Sequence, residues 1–128
     1  TVLRHVADKL ADSVRSPDMV ARQGGEEFVV VLPNTSISDA ERVADRLRRG
    51  VADLVIPLNT DGGSLRITVS FGVSEIAWDE PSADEALRRA DEALYRSKHK
   101  GRNCVTVAPV SNIASPASGS AQAMVLQS

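Results

Sequence analysis

One short turn of the sequence could bring a metal ion and a phosphate group together. Gly24 and Gly25 are followed directly by Glu26 and Glu27. Carboxylate oxygens are the hard ligands that Mg²⁺ prefers, and glycine, which lacks a Cβ, lets a phosphate approach the backbone closely. Two adjacent carboxylates repel each other and add nothing to turn geometry. The spacing alone therefore fits a magnesium–phosphate site and a solvated acidic turn about equally well.

The residues on either side of this turn predict a β-hairpin. Residues with a high strand preference run from Met19 to Arg22 and again from Phe28 to Leu32. The paired glycines between them suit a tight turn, because glycine accepts positive φ angles. The second strand is apolar on both faces, so we expect it to be buried on both sides.

Apolar residues that recur at helical spacing predict three helices. The first ends at Ser16, because Pro17 disfavours a helical backbone in the residue before it. The second and third begin at Ser38 and Ser82, each followed three residues later by the glutamate of a capping box. Gly101 is placed to cap the end of the third helix.

Residue types also predict two later strands. Strict alternation of apolar and polar residues from Leu65 to Ser74 predicts a strand with one buried face. Residues Cys104 to Val107 are predicted to form the last strand. The resulting order, α-β-β-α-β-α-β, predicts a mostly antiparallel sheet with helices on one or both faces. The expected fold class is α/β, in the form of an α+β sandwich.

The composition excludes several classes of protein. The 128 residues include 15 Lys and Arg against 17 Asp and Glu, a formal charge of −2, whereas binding along a nucleic-acid backbone needs a basic surplus. The single cysteine permits no internal disulfide, and no zinc-ligand spacing is present. No apolar run approaches the roughly 18 residues of a membrane span, and no signal-peptide pattern is seen. We expect a cytoplasmic domain that binds no nucleic acid and has no membrane segment.

The C-terminal part of the sequence differs from the rest. Every charged residue lies at or before Arg102, and the stretch from Pro109 to Ser128 is rich in Ser, Ala and Pro. Such a segment buries little apolar surface and shows no period. We therefore expect a domain over residues 1–108 and a disordered, uncharged tail over residues 109–128.

Five segments of the sequence occur together in a characteristic order and spacing. They are Ala21–Pro33, which contains the acidic turn, then Thr68–Val73, Ala90–Tyr95, Lys98 and Gly101–Asn103. Together they resemble the GGDEF-domain diguanylate cyclase family from Thr1 to about Val107, with GGEEF in place of GGDEF. The resemblance implies the palm-like fold of nucleotidyl cyclases and polymerases. It also implies that two GTP are condensed into cyclic di-GMP, with release of pyrophosphate, by a homodimer of facing domains.

The resemblance assigns roles to the acidic turn. Glu26 matches a position that binds Mg²⁺ (or Mn²⁺) and accepts the proton of the attacking 3′-hydroxyl. Glu27 matches a position that supports the same metal site. Gly24 and Gly25 would let the turn backbone approach the nucleotide. The implied catalytic and metal-binding residues are thus the two glutamates.

Two basic residues near the end of the third helix complete the implied substrate site. Lys98 and Arg102 match the family's triphosphate-contacting pair, and cations opposite a triphosphate form strong charge-assisted hydrogen bonds. From the residues alone, Lys98 would instead be a surface lysine that complements the helix dipole.

A further set of residues resembles the family's product-inhibition site. Arg15 and Asp18 match its R-x-x-D pattern, five residues upstream of the double glycine. The arginine would bind phosphate and guanine of cyclic di-GMP, because a planar guanidinium donates to both in a bidentate manner, and the aspartate would orient it. Arg46, on the outer face of the second helix, resembles the arginine that completes the site. Without the resemblance, such an Arg and Asp at a helix end are a common surface pair.

One part of the family's domain has no counterpart in this sequence. The family's first strand carries a metal-binding aspartate and lies in the middle of the sheet, between the hairpin and the strand Leu65–Ser74. Without it, two inner sheet edges would expose unpaired N–H and C=O groups. Either the chain is a fragment of a longer gene product, or these edges meet each other or a second chain. We expect these 128 residues alone to make no cyclic di-GMP.

The resemblance leaves a second function open, that of a catalytically inactive regulatory module that binds cyclic di-GMP or GTP. The two intact glutamates of the turn argue against such a loss of catalysis. A dimerisation domain of a sensor protein is a third reading. Family members follow receiver, PAS or membrane sensor domains, so we expect an upstream sensor or receiver domain as a partner, with any membrane tether outside this chain.

Overall fold

The computed structural model describes residues 6, 8–9, 19–23, 27–57, 62–76, 82, 84–109 and 121–127. Residues 6, 8 and 9 are helical, as the predicted first helix requires, and the rest of that helix lies outside the described residues. The elements with defined bounds are β1 Met19–Gln23, β2 Glu27–Leu32, α1 Ile37–Ala52, β3 Ile56–Pro57, β4 Ser64–Leu65, β5 Ser70–Ile76, α2 Asp84–His99, β6 Val105–Val107 and β7 Ala121–Gln127.

Five of these strands form one sheet in the order β1-β2-β7-β5-β6. The pairs β1–β2, β2–β7 and β7–β5 are antiparallel, and β5–β6 is parallel. The two short strands β3 and β4 pair separately. The prediction of a mostly antiparallel sheet flanked by helices is confirmed, and the fold is of the α+β class.

The predicted hairpin is present. Met19 pairs with Val31 and Gln23 pairs with Glu27 in an antiparallel register. Residues 24–26, which the sequence assigns with Glu27 to the acidic turn, lie outside the described residues. The β2 strand is buried on both sides, as its apolar pattern predicts.

The C-terminal segment corrects the prediction for residues 109–128. Residues 121–127 are not a disordered tail but the strand β7, which lies in the middle of the sheet. The strand β7 also corrects the expectation that two inner sheet edges would be left unpaired, because it fills the space between β2 and β5 and pairs with both. An apolar segment at this place gives the N–H and C=O groups of both neighbours a partner. Residues 110–120 and 128 are not described.

One face of the sheet packs against α1 through large side chains. Phe28, Val30, Phe71, Val73 and Met124 belong to a cluster that also holds Ala40, Ala44, Leu47 and Val51 of the helix. The N-cap lies two residues earlier than the predicted cap. Ser36 is the N-cap, with an extended backbone and a hydroxyl that accepts a hydrogen bond from the Asp39 N–H at 3.1 Å, so the predicted cap at Ser38 is wrong.

The opposite face packs against α2 at much closer range. Ser70, Gly72 and Ser74 of β5 lie on this face and are all buried. A Cβ at Gly72 would overlap the backbone of Ala90 and Leu94. The predicted strand Leu65–Ser74 with one buried face is therefore corrected: β5 begins at Ser70 and is covered on both faces, because its small polar residues lie under a helix.

Both ends of α2 agree with the sequence. The Ser82 hydroxyl accepts a hydrogen bond from the Asp84 N–H at 3.3 Å. At the other end, Gly101 has a φ of +116°, and the Arg102 N–H donates to the Ser97 carbonyl at 3.0 Å. A glycine in this conformation ends the helix without Cβ strain.

Candidate functional site

Glu27 opens β2 and places the acidic turn at one end of the sheet. Its neighbours across the two ladders are Gln23 of β1 and Gln127 of β7. Side chains alternate along a strand, so Glu27 lies on the same sheet face as Val29, which packs against α2. Glu27 as a whole residue is half-buried.

Asp91 and Lys98 of α2 lie close enough to Glu27 to alter its ionisation. They are seven residues apart, about two helical turns, and therefore share one face of the helix. Burial and the nearby Asp91 carboxylate raise the pKa of Glu27 above its ordinary value of 4.5, and Lys98 opposes the rise. Burial likewise raises the pKa of Asp91, again against the effect of Lys98. Two carboxylates and one ammonium group thus share this end of the sheet.

Gln127 joins this group from β7. Its side-chain carbonyl oxygen Oε1 contacts the Lys98 ammonium Nζ, which donates to it. On the other side, Gln127 pairs with Ser70 of β5. The side-chain amide of Gln127 therefore engages the Lys98 ammonium group. The residue itself lies between Glu27 of β2 and Ser70 of β5 in the sheet.

The loop after α2 brings Arg102 to the same end of the sheet. The Asn103 N–H donates to the Ser70 hydroxyl at 3.0 Å, which fixes the loop to the first residue of β5. Arg102 has a left-handed φ of 64° and an exposed side chain. The structure thus brings together Glu27 and Lys98, and it places the exposed Arg102 at the same end of the sheet.

The remaining site residues are divided between undescribed segments and a different part of the molecule. Gly24, Gly25, Glu26, Arg15 and Asp18 lie outside the described residues. Within the ranges that the structure does describe, no three His, Cys, Asp or Glu side chains form a group that could hold a metal ion. Glu27 and Asp91 supply oxygen donors of the kind that suits Mg²⁺.

Arg46 lies on α1, on the opposite side of the sheet from α2. It is exposed and lines a groove of about 760 Å³ between α1 and the residues Asn103–Val105. Arg48, in the same groove, is held by Asp45 at 2.8 Å and donates to the Asn103 side chain at 3.0 Å. The structure therefore separates Arg46 from Glu27 and Lys98.

Two residues of this site were not identified from the sequence. Asp91 stands within the segment Ala90–Tyr95, and its spacing to Lys98 is a signal that could have placed both side chains on one helix face. Gln127 gives no such signal, because nothing in its local sequence indicates that residues 121–127 enter the sheet.

The fold and the site together define the class of this domain. A mixed sheet of five strands carries an acidic hairpin end beside a lysine at the end of a packed helix, the arrangement of a palm-like nucleotidyl cyclase domain. Residues 1–104 match the model of the family described as "Diguanylate cyclase, GGDEF domain". The chain belongs to the GGDEF family.

Known proteins of the family are similar over most of the chain. Diguanylate cyclase A of Treponema denticola is 46% identical over 106 residues, which is 83% of this chain and 28% of that protein. Response regulator PleD of Caulobacter vibrioides is 42% identical over 104 residues, 81% of this chain and 23% of PleD. This chain thus spans about a quarter of the length of these relatives.

A solved structure has the same fold. The GGDEF domain of DgcB from Caulobacter crescentus, in complex with c-di-GMP, superposes with a TM-score of 0.77 at 34% identity, covering 83% of this chain and 62% of that domain. Among the described residues, neither helix has the length and apolar character needed to cross a membrane. Members of the family use a divalent metal ion.

Proposed function

We propose that this domain takes part in the condensation of two GTP into cyclic di-GMP with release of two pyrophosphates. The observation that carries the proposal is the placement of Glu27 and Lys98 at one end of the sheet, where Gln127 pairs with the first and contacts the second, in a chain that matches the GGDEF family over residues 1–104. It supports a site in which the acidic turn and a phosphate-binding cation face one ligand.

The reaction needs groups that position two triphosphates and remove a proton. The 3′-oxygen of one GTP attacks the α-phosphorus of the other, the bond to pyrophosphate breaks, and the hydroxyl proton passes to the Glu26 carboxylate. Lys98 and Arg102 bind the triphosphate oxygens, and Gly24 and Gly25 let the backbone approach them. The same exchange in the opposite direction closes the ring of the cyclic dinucleotide.

Glu26 and Glu27 are the residues that would hold the metal ion, which we propose to be Mg²⁺ or Mn²⁺. When bound, the ion neutralises charge on the phosphates. Glu27 fits this role because the residue is half-buried near Asp91, and burial with a like charge raises its pKa. A cation at this place would relieve both effects, since an opposite charge favours the ionised carboxylate.

We propose that catalysis requires two facing domains and that this chain alone produces no cyclic di-GMP. The setting we propose is a cytoplasmic homodimer controlled by an upstream sensor or receiver domain. The contact between Gln127 and Lys98 supports the inactivity of the chain by itself, because it engages the cation assigned to the triphosphate.

The same contact favours a second candidate function, a regulatory module that binds cyclic di-GMP or GTP without turnover. Arg15, Asp18 and Arg46 are the proposed product-binding residues, and they would act as the inhibitory site of an active cyclase or as the main site of an inactive one. Calorimetry with cyclic di-GMP tests this assignment: micromolar binding that is lost in Arg15→Ala supports it, and absence of binding by the parent chain contradicts it.

Nucleotide binding at the main site is tested by titrating GTP into the chain with and without Mg²⁺. Lys98→Gln should weaken binding about tenfold, the typical effect of losing one charge-assisted phosphate contact. Arg96→Gln is the matched control, because Arg96 is exposed on the opposite side of α2 and loses the same charge. Equal affinity in the two variants would refute the assignment of Lys98.

Turnover is measured separately, by mass spectrometry of the nucleotide products. The isolated chain with GTP and Mg²⁺ should form no cyclic di-GMP. A longer protein that contains this chain should form it, and Glu26→Ala should abolish that activity. Turnover by the isolated chain would contradict the proposed need for further segments, and an active Glu26→Ala variant would contradict the role of the turn.

A further inference from the structure

The loop that leads from α2 into β6 has a strained backbone at the arginine assigned to the substrate site. Gly101, Arg102 and Asn103 have consecutive positive φ angles of 116°, 64° and 48°. Glycine adopts such angles freely and asparagine tolerates them, whereas arginine rarely does, because its Cβ comes too close to the carbonyl oxygen. Strained residues of this kind persist only where their surroundings hold them, and they concentrate at ligand-binding sites. The conformation of Arg102 therefore depends on the contacts that its loop makes.

Two backbone N–H groups hold the loop to α2 and to the sheet. The Arg102 N–H donates to the Ser97 carbonyl at 3.0 Å, and the Asn103 N–H donates to the Ser70 hydroxyl at 3.0 Å. These bonds fix where the main chain of the loop lies. The side chain of Asn103 makes a third contact, in a different direction.

This third contact comes from α1, on the other side of the sheet. Arg48 Nη1 donates to the Asn103 side-chain oxygen Oδ1 at 3.0 Å, across 55 positions of the sequence. Because Asn103 directly follows Arg102, a change in the backbone angles of Arg102 would carry the asparagine side chain away from α1. The hydrogen bond from Arg48 therefore resists such a change.

Arg48 is itself held by its own helix. Its Nε and Nη2 contact the Asp45 carboxylate at 3.0 and 2.8 Å, and Nη1 remains for Asn103. The Arg48 side chain is only 20% exposed, whereas that of Arg49, which also pairs with Asp45, is 72% exposed. A planar guanidinium donates to two acceptors in fixed directions. Arg48 is thus a fixed link between α1 and the loop, and Arg49 is a surface residue of the same helix.

We propose that Arg48 is a positioning residue, which holds Arg102 in the left-handed conformation that presents its exposed guanidinium to the triphosphate of a nucleotide. The identity of this ligand rests on the proposed function, and the positioning rests on the contacts of α1 with the loop. A binding group whose backbone is already ordered loses less conformational freedom when its ligand arrives. Arg48 therefore raises affinity without touching the nucleotide.

Amide hydrogen exchange tests the positioning in the full chain without nucleotide. Arg48→Gln removes the bond to Asn103. Arg49→Gln is the matched control, because it loses the same charge and the same acidic partner but keeps the bond between Arg48 and Asn103. Exchange at the Arg102 and Asn103 amides, followed by NMR, should be about threefold faster in Arg48→Gln than in the control, the effect of losing one exposed hydrogen bond. Equal exchange rates would refute the positioning.

Titration with GTP and Mg²⁺ tests whether this positioning serves binding. Arg48→Gln should weaken binding about threefold relative to Arg49→Gln, again the effect of one exposed hydrogen bond. In an Arg102→Gln background, the same replacement of Arg48 should cause no further loss, because it acts through Arg102. Losses that add in the double variant would contradict the inference.

The two experiments distinguish this inference from the proposed function. If the wild-type chain binds no GTP, the proposed function fails and the presentation of Arg102 to a triphosphate fails with it, whereas the exchange rates still decide whether Arg48 holds the loop. If GTP binds with equal affinity to Arg48→Gln and Arg49→Gln, nucleotide binding stands and the role of Arg48 in it is refuted.

Discussion

The two faces of the sheet are packed in different ways. The face toward α1 is filled by large apolar side chains, among them Phe28, Phe71 and Met124. The face toward α2 carries Ser70, Gly72 and Ser74 on β5, and the residues of α2 that are buried against it are mostly small. One face therefore holds its helix through side-chain volume, and the other holds it through close backbone approach and hydrogen bonds.

The difference bears on function because the candidate site belongs to the closely packed face. Asp91 and Lys98 project from α2, and Glu27 lies on the β2 strand beneath it. The Ser97 hydroxyl donates to the Phe71 carbonyl at 2.7 Å, one residue before Lys98. Hydrogen bonds fix the position of α2 along its own axis, whereas apolar contacts alone are non-directional. The α2 face can thus set the distance between the turn and the lysine.

The largest expected effect comes from adding one methyl group to the α2 face. Gly72→Ala should lower the free energy of unfolding by about 3 kcal/mol, because its Cβ overlaps the backbone of Ala90 and Leu94, which cannot move as a side chain would. Val73→Ala, which removes two carbons next to it on the α1 face, should cost about 2 kcal/mol. Urea unfolding of both variants measures this. A larger loss of stability in Val73→Ala than in Gly72→Ala would contradict the difference in packing between the two faces.

The next effect concerns a hydrogen bond that only the α2 face has. The buried Ser74 hydroxyl donates to the Ala86 carbonyl at the start of α2. Ser74→Ala should cost about 1–2 kcal/mol, since it leaves a buried carbonyl without this donor. Chemical denaturation gives the value, and Ser64→Ala, at an exposed position of β4, is the control. Equal stability of the two variants would mean that packing alone holds this end of the helix.

The carboxylates at the end of the α2 face should give a smaller, pH-dependent effect. The pKa values of Glu27 and Asp91 are raised above 4.5 and 3.8. Their contribution to stability is therefore complete below those values and is lost as pH rises through the raised values. The wild type should gain more stability than Glu27→Gln/Asp91→Asn when the pH falls from neutral toward 4.5.

Glu85 provides the opposite case for the same titration. Its hydrogen bond with Arg88 lowers its pKa, so its contribution is present above 4.5 and is lost as pH falls through the lowered value. The midpoints of urea unfolding, measured between pH 3 and pH 7, should separate the pH range in which Glu27 and Asp91 affect stability from the range in which Glu85 does. Identical pH profiles of the wild type and the double variant would remove the evidence that the site carboxylates are coupled.

The smallest effect is expected on the outer surface of α2. Arg88 pairs with Glu85 at 3.0 Å and with Glu92, and all three side chains are more than half exposed. Exposed ion pairs contribute little, so Arg88→Gln should shift the urea midpoint less than any variant above. A loss as large as that of Ser74→Ala would show that the solvent side of α2 also positions the helix.

The hairpin was predictable because two strand-forming segments flank a double glycine. The β7 strand was not, since a segment buried on both faces has no polar–apolar alternation and its pairing partners are distant. The one-sided burial predicted for β5 failed at Ser70 and Ser74, where hydroxyl groups satisfied by α2 are polar in sequence but buried in the fold. Glu27 and Lys98 were assigned to the site because the sequence resembles the family. The direct contact of Lys98 with Gln127 was not predictable, because it depends on tertiary structure that no local pattern encodes.

The register of β7 has a consequence for how the protein folds. Glu27 and Gln127 are adjacent in the sheet but 100 positions apart in the sequence, and pairings of such separation slow folding. During synthesis, both helices and the other strands of the sheet are made before β7, which until then cannot pair with β2 or β5. Over that interval the nascent chain carries an open apolar cleft, the kind of surface that chaperones bind.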